Sequence, residues 1–344
     1  MRLTRNPLRT SLAAVQLSAL ALLCSYSPLS LADGTLTPGG SLGENMRVSL
    51  DLSSRITHFD RADETGYTNV AGLDLHKVFS GSGGDIGTLT VQLYWTRIDN
   101  LIMRPGFFDG PDDTELVYRI VNFNYTGFGT QAPHIRVGHF EIPYGLEHTI
   151  DTNGNLRDYT HGRNLGVKAD WGVSVNGGLP TLEYEVSYTL GGGQEAERKD
   201  GSYVWAGRLG TPRDDNQVYG VALYHAELKN TERNRLGLDA MWYYDLYGLF
   251  AQLDIGEDAD NDVLNGIVEL NWRNPQETWL LFLQNQYFST DRSDGDQQAL
   301  RHNLGVQYTP DSHWDFSAQY QHDSEVFDGA PEERIFSLQA RYRF

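Results

Sequence analysis

The chain has 344 residues, 27 basic against 46 acidic side chains, a formal net charge of −19 and 40% hydrophobic residues. So acidic a chain is a poor partner for nucleic acid, whose binding begins with Lys and Arg neutralising phosphates, and with 19 tyrosines and 14 phenylalanines it is too aromatic to be disordered. After residue 32 no apolar run is long enough to cross a bilayer as a helix, which leaves a soluble β-rich protein or a membrane β-barrel.

Residues 1–32 read as a secretory signal peptide. They carry Arg2, Arg5 and Arg9 and no acid, then a mostly apolar stretch from Leu12 to Leu23, and end on the small-x-small site Ser30-Leu31-Ala32. The single cysteine, Cys24, lies inside this segment and follows Leu23, whereas a lipidation box needs a small residue there. The expected organisation is therefore a cleaved leader, 1–32, and one domain, 33–344. That domain has no cysteine, so disulfides do not stabilise it.

From residue 46 onward the pattern is period-two alternation, which places one apolar and one polar face on each strand. In the first segment Met46, Val48, Leu50, Leu52 and Ile56 alternate with Arg47, Ser49, Asp51, Ser53, Arg55 and Thr57. Sixteen such segments are expected, at 46–58, 67–79, 87–98, 114–126, 133–140, 165–175, 181–190, 202–210, 217–227, 234–244, 247–256, 262–272, 277–288, 298–308, 313–321 and 334–344. For a chain entering from the periplasm, even-to-odd connections should be short turns and odd-to-even connections longer outer loops. Turn-rich runs such as Asn176-Gly177-Gly178-Leu179-Pro180 and Asn274-Pro275-Gln276 fall in the short set, and 99–113, 141–164, 191–201, 289–297 and 322–333 in the long one.

A soluble β-sandwich also alternates, so periodicity alone does not decide. All seven tryptophans lie on the apolar parity, most of them near strand ends, as in the aromatic girdles of a membrane barrel. The polar parity carries many charges and glycines, which a wet lumen accepts and a packed core does not. The last segment sets Phe336, Leu338, Ala340, Tyr342 and Phe344 on one face and stops on Phe344. Tyr342 and Phe344 thereby resemble the signal that bacterial outer-membrane proteins present to the barrel-assembly machinery. The expected fold is all-β, a transmembrane antiparallel β-barrel of about 16 strands.

The run Arg136-Val137-Gly138-His139-Phe140-Glu141-Ile142-Pro143-Tyr144-Gly145-Leu146-Glu147 resembles a segment of the phosphate-selective porin O and P family. That resemblance implies a channel, a homotrimer, and a third outer loop, here 141–164, folded into the lumen to narrow it. It also implies an arginine ladder with a lysine cluster for anions. The third loop contains no lysine, however; it carries Glu147, Asp151 and Asp158 against Arg157 and Arg163, with His148 and His161. The candidate constriction residues are Arg136, Glu147, His148, Asp151, Arg157, Asp158 and Arg163.

Parity assigns a lumen wall with the cations Arg47, Arg55, Lys168, Arg208, Arg235, Arg301, Arg341 and Arg343. The anions are Asp51, Asp74, Asp170, Glu183, Glu185, Asp239, Asp254, Glu269 and Asp315. Two electrostatic readings follow. Arg47, Arg55, Arg341 and Arg343 could face the acids of the third loop and set up a transverse field, or the charges could pair across neighbouring strands and only keep the lumen hydrated. The ten histidines are scattered and no Gly-x-Ser-x-Gly elbow occurs, so catalysis is not expected. His58, His302 and His322 fall on the apolar parity near strand ends, a placement suited to the membrane interface. No metal or cofactor motif is found. The expected protein is an outer-membrane porin for small hydrophilic solutes or ions, surrounded by lipid and lipopolysaccharide. The alternatives are a sleeve for a partner protein and, after it, an outer-membrane hydrolase.

Overall fold

The computed structural model describes residues 45–81, 84–100, 113–129, 132–147, 156–198, 200–291, 295–327 and 332–344. The expected signal peptide and the candidates His148 and Asp151 lie outside them. The described chain forms sixteen strands: β1 (Met46–Phe59), β2 (Glu64–Gly81), β3 (Gly84–Asp99), β4 (Thr114–Tyr125), β5 (His134–Glu141), β6 (Ala169–Gly178), β7 (Glu183–Thr189), β8 (Tyr203–Gly210), β9 (Gln217–Leu228), β10 (Thr231–Tyr244), β11 (Tyr247–Asp258), β12 (Asn261–Arg273), β13 (Trp279–Thr290), β14 (Gln297–Tyr308), β15 (Trp314–Glu325) and β16 (Arg334–Arg343). One short helix, α1 (His161–Asn164), precedes β6.

Each strand pairs antiparallel with its chain neighbours, and β16 returns to β1 to close the barrel. Closure leaves no free edge, because each strand has a ladder partner on both sides. The last residue takes part in it: Leu50 N–H donates to the Phe344 carbonyl at 2.7 Å and Phe344 N–H to the Leu50 carbonyl at 3.1 Å. Phe344 and Tyr342 also pack in one aromatic group with Trp314 and Phe316.

Burial is inverted relative to a soluble protein. Asp254, Gln284 and Asn303 on the inward parity are fully buried, while Leu223, Leu304 and Trp95 on the outward parity are 64%, 60% and 62% exposed. An apolar outside is stable only against hydrocarbon, so this is the distribution a membrane-spanning barrel requires. The strand ends at the short turns carry an outward aromatic belt in which Trp279 stacks on Tyr308 and Trp242 packs on Tyr219.

Strand positions follow the expected ones closely, with two corrections. The sixth strand begins at Ala169, not at 165, because residues 161–164 turn into a helix; Lys168 thus belongs to the β5–β6 connection. Three odd-to-even connections, 60–63, 229–230 and 259–260, are as short as the even-to-odd turns. Lys229 and Asn230 both adopt positive φ, the geometry of a two-residue hairpin turn whose twist matches the strands.

One seam is weaker than the rest. β4 and β5 pair only from Val121–Tyr125 to Ile135–His139. Beyond that stretch, the β4 backbone is bonded by side chains. The Gln194 amide accepts from Tyr118 N–H at 2.7 Å and donates to the Tyr118 carbonyl at 3.0 Å, and His139 Nδ1 lies 3.1 Å from the Arg119 carbonyl.

Candidate functional site

The described parts of the β5–β6 connection, 142–147 and 156–168, lie against inward-facing residues of the barrel. Ile142, Tyr144 and Leu165 form a buried apolar cluster with Val204, Ala206, Ala222, Tyr224, Ala226 and Leu228 of β8 and β9. Leu146 does the same with Val218, Phe250 and Ile267. These inward positions break the polar rule of the wall, and they do so where the connection covers them. Gly145 has φ +60°, and a Cβ there would meet Gln252 Oε1 at 2.0 Å; only glycine permits this approach of the chain to β11.

A buried polar network fixes the returning half. Glu147 accepts hydrogen bonds from Thr160 N–H (2.7 Å), Thr160 Oγ1 (2.5 Å) and His161 N–H (3.0 Å), so it ties the two halves of the connection together. Tyr144 donates to Asp254 at 3.0 Å, and Asn164 and Asn265 each donate to the other oxygen of the same carboxylate at 2.8 Å. Arg235 donates to the side-chain and backbone oxygens of Asn164 and to Asp258. Burial pushes the Glu147 carboxyl up to about 7 despite the three donors that favour its ionised form. Burial also holds His161 down at about 4, so its imidazole is neutral.

The tip of the returning half touches β12 to β14. Asp158 N–H donates to Gln284 at 3.2 Å, and the Asp158 carboxylate is ion-paired with Arg301, which also pairs with Asp323 at 2.7 Å. Arg157 pairs with Glu269 at 3.1 Å. Arg163 lies over the rings of Phe288 and Phe327.

Between this tip and the inner face of β1–β4 and β14–β16 lies a cavity of about 550 Å³. Its cationic lining is Arg55, Arg119, Arg157, Lys168 and Arg301, its acidic lining Glu141 and Asp158; Ser53, Thr57, Thr68, Thr96, Gln319, Gln321, Ser337 and Gln339 supply neutral polar groups. Gln339 Oε1 accepts from Arg55 Nε and Nη2 at 2.9 and 2.8 Å. Lys168 lies 3.7 Å from Glu141.

Of the candidates, the structure brings Arg55, Arg157, Asp158, Lys168 and Arg301 together on this cavity. Arg136 pairs instead with Glu185 at 2.8 Å, Arg235 is buried against the connection, and Arg343 pairs with Asp315 at 3.2 Å. Arg341 pairs with Asp51 and Arg208 with Asp239, so cross-strand pairing accounts for much of the wall charge. Arg47 is exposed near the start of β1 and does not line the cavity. Glu147 and Arg163 belong to the connection and are absent from the lining.

Arg119 escaped the sequence reading. The β3–β4 register slips between Gln92 and Leu93, which leaves Arg119 as an extra residue and turns it over the Tyr94 ring toward the lumen. A bulge breaks parity, so strict alternation cannot find it.

No protein-family model and no curated protein matches this sequence. Solved structures do match in fold. OprB of Pseudomonas putida aligns with a TM-score of 0.66 at 10% identity, over 92% of this chain and 96% of that one. OmpF of Salmonella typhi in complex with daunomycin gives 0.65 at 9% identity, over 87% and 97%. An anion-selective porin from Comamonas acidovorans gives 0.61 at 12% identity, over 87% and 99%. The chain therefore has the closed sixteen-stranded fold found in bacterial outer-membrane porins.

Proposed function

We propose that the chain is an outer-membrane porin in which the β5–β6 connection folds into the lumen and narrows it to a polar passage for small hydrophilic solutes. The observation that carries this reading is the 550 Å³ cavity between Asp158 on the connection and Arg55 on the wall. Sixteen strands leave an aqueous lumen, and a connection held by its own apolar residues and by Glu147 narrows it without filling it. Export by the leader 1–32, assembly through Tyr342 and Phe344, a homotrimeric state and surrounding lipopolysaccharide belong to the same reading.

Selectivity follows from the lining. Cationic side chains outnumber acidic ones there, so the passage favours anions modestly over cations at neutral pH. Arg55, Arg119, Arg157, Lys168 and Arg301 line the passage against Glu141 and Asp158. A dedicated phosphate site of the porin O and P type calls for a lysine cluster, and among the described residues Lys168 is the one lysine of this lining. The reading is therefore a general passage with a bias for anions.

The test is purified protein in a planar bilayer under a potassium chloride gradient. Stepwise conductance with a reversal potential displaced toward the chloride equilibrium value is expected. Absence of conductance would replace the porin by the sleeve reading, and a displacement toward potassium would overturn the anion bias.

A further inference from the structure

The lumen wall breaks its polar rule at a second place, away from the two apolar clusters that hold the β5–β6 connection. Among the described residues, Phe59 on β1, Val117 on β4 and Ile335 on β16 are buried apolar side chains that belong to neither cluster. With Leu156 of the connection they line the 550 Å³ cavity. An apolar side chain turned toward a wet lumen is unfavourable until something apolar meets it.

The β1–β16 ladder orders this lining. Phe59 is the register partner of Ile335, Thr57 of Ser337 and Arg55 of Gln339, and all six line the cavity. Phe59 ends β1 at the connection to β2, on the outer side of the barrel. From there inward, two apolar side chains give way to two hydroxyls 3.3 Å apart, and these to a guanidinium and an amide. Four residues of extended strand separate Phe59 from Arg55, about 13 Å. Arg119 and Lys168 add positive charge to the same cavity. That charge attracts a carboxylate whatever further hydrogen bonds these side chains make.

We propose that the passage selects, among small anions, monocarboxylates with an apolar tail; this rests on the porin reading above and names the solute class of that same cavity. The carboxylate sits in the field of Arg55, Arg119 and Lys168, and the tail points outward to Phe59 and Ile335. A halide or inorganic phosphate gains the charge alone, and an alkylammonium ion meets the same field as a repulsion. Each apolar side chain presents only its end to the cavity, 2% of Phe59, 7% of Ile335 and 8% of Val117. The patch therefore receives the last carbons of a chain rather than a bulky apolar body.

Single-channel recording of the purified protein in potassium chloride, with acetate, octanoate or octylammonium added on the side of the long connections, tests this. Octanoate should reduce the wild-type current at a concentration lower than acetate by about fivefold or more, and octylammonium should have no such advantage. Phe59→Ser/Ile335→Thr should bring octanoate to the level of acetate, Phe59→Leu should keep the preference, and Arg55→Gln should weaken the block by both anions. Each variant is compared with its own current in potassium chloride, and heat-modifiable migration on gels reports whether it is folded. Calorimetric titration of the same protein in lipid nanodiscs with the two carboxylates gives a second readout that needs no conductance. Equal potency of octanoate and acetate on wild type, or an undiminished preference in the folded double variant, would overturn the proposal while the currents left the porin reading standing. Silent bilayers with the octanoate preference intact in calorimetry would strike the porin reading and leave the binding site.

Discussion

Asp158 in the returning half of the β5–β6 connection is ion-paired with Arg301 on β14, and this pair joins the connection to the far wall of the cavity. Arg301 keeps a second carboxylate, Asp323, at 2.7 Å, so loss of Asp158 does not leave it unpaired. Asp158→Asn should therefore preserve the fold and remove one of the two acids on the lining. The expected result is an anion-to-cation permeability ratio raised by about twofold, read from the reversal potential, with Arg55→Gln shifting it by a similar factor in the opposite direction. An unchanged ratio in both variants would move the selective region elsewhere along the lumen.

Glu147 makes the connection sensitive to pH. Burial raises its folded value to about 7 from the 4.5 of a free glutamate, so the folded connection binds the proton that the released one gives up. Its contribution is fully present below pH 4.5 and is lost as the pH rises through about 7, a change on the order of 3 kcal/mol at most. Amide exchange at Thr160 and His161 should accelerate between pH 5 and pH 8 beyond the intrinsic chemical rate. In Glu147→Gln, which cannot titrate, that excess should disappear; its persistence would assign the effect to another group.

Gly145 tests how the connection is held against the wall. Its φ of +60° is strained for any other residue, and a Cβ would lie 2.0 Å from the Gln252 amide oxygen that the Leu146 N–H also uses. Gly145→Ala should cost about 1–3 kcal/mol in the docking of the connection, visible as larger and noisier single-channel steps with barrel migration on gels unchanged. Steps identical to wild type would mean that residues 142–147 do not limit the passage.

What the sequence made legible and what it did not divide along physical lines. Sixteen strands were readable because a barrel wall between hydrocarbon and water imposes a strict two-residue period, and even the Trp95 and Leu304 parity was unambiguous. Arg119 was hidden because a bulge interrupts that period. Tyr144, Thr160 and Asn164 were hidden, and Asp254 was legible only as an inward acid, because their network is assembled from two halves of a connection and a strand about a hundred residues away. The inward alanines of β9 are the surface on which Ile142 and Leu165 rest, a role that alternation by itself does not reveal. Charges were found as residues but not as partners: Arg136 and Arg341 are inward as their parity requires, yet Glu185 and Asp51 neutralise them.

Gln194 replaces a missing stretch of strand. Its amide satisfies both backbone groups of Tyr118 where β5 no longer reaches β4, and its carbonyl accepts from Trp171 Nε1 at 3.1 Å, while the Gly191 and Gly193 N–H groups bind Asp170. Gln194→Ala would leave the Tyr118 N–H and C=O unpaired in a wall with little water, at about 1–3 kcal/mol per buried group. Hydrogen exchange should then rise at Tyr118 and along 190–198, where the connection loses its anchor, and stay unchanged at β10–β13 on the opposite wall. Gln194→Glu keeps the acceptor but loses the donor, so it should give an intermediate effect. If both variants exchange like wild type, the Tyr118–Trp171 ring contact holds Tyr118 without the Gln194 amide, and Trp171→Ala should then raise its exchange.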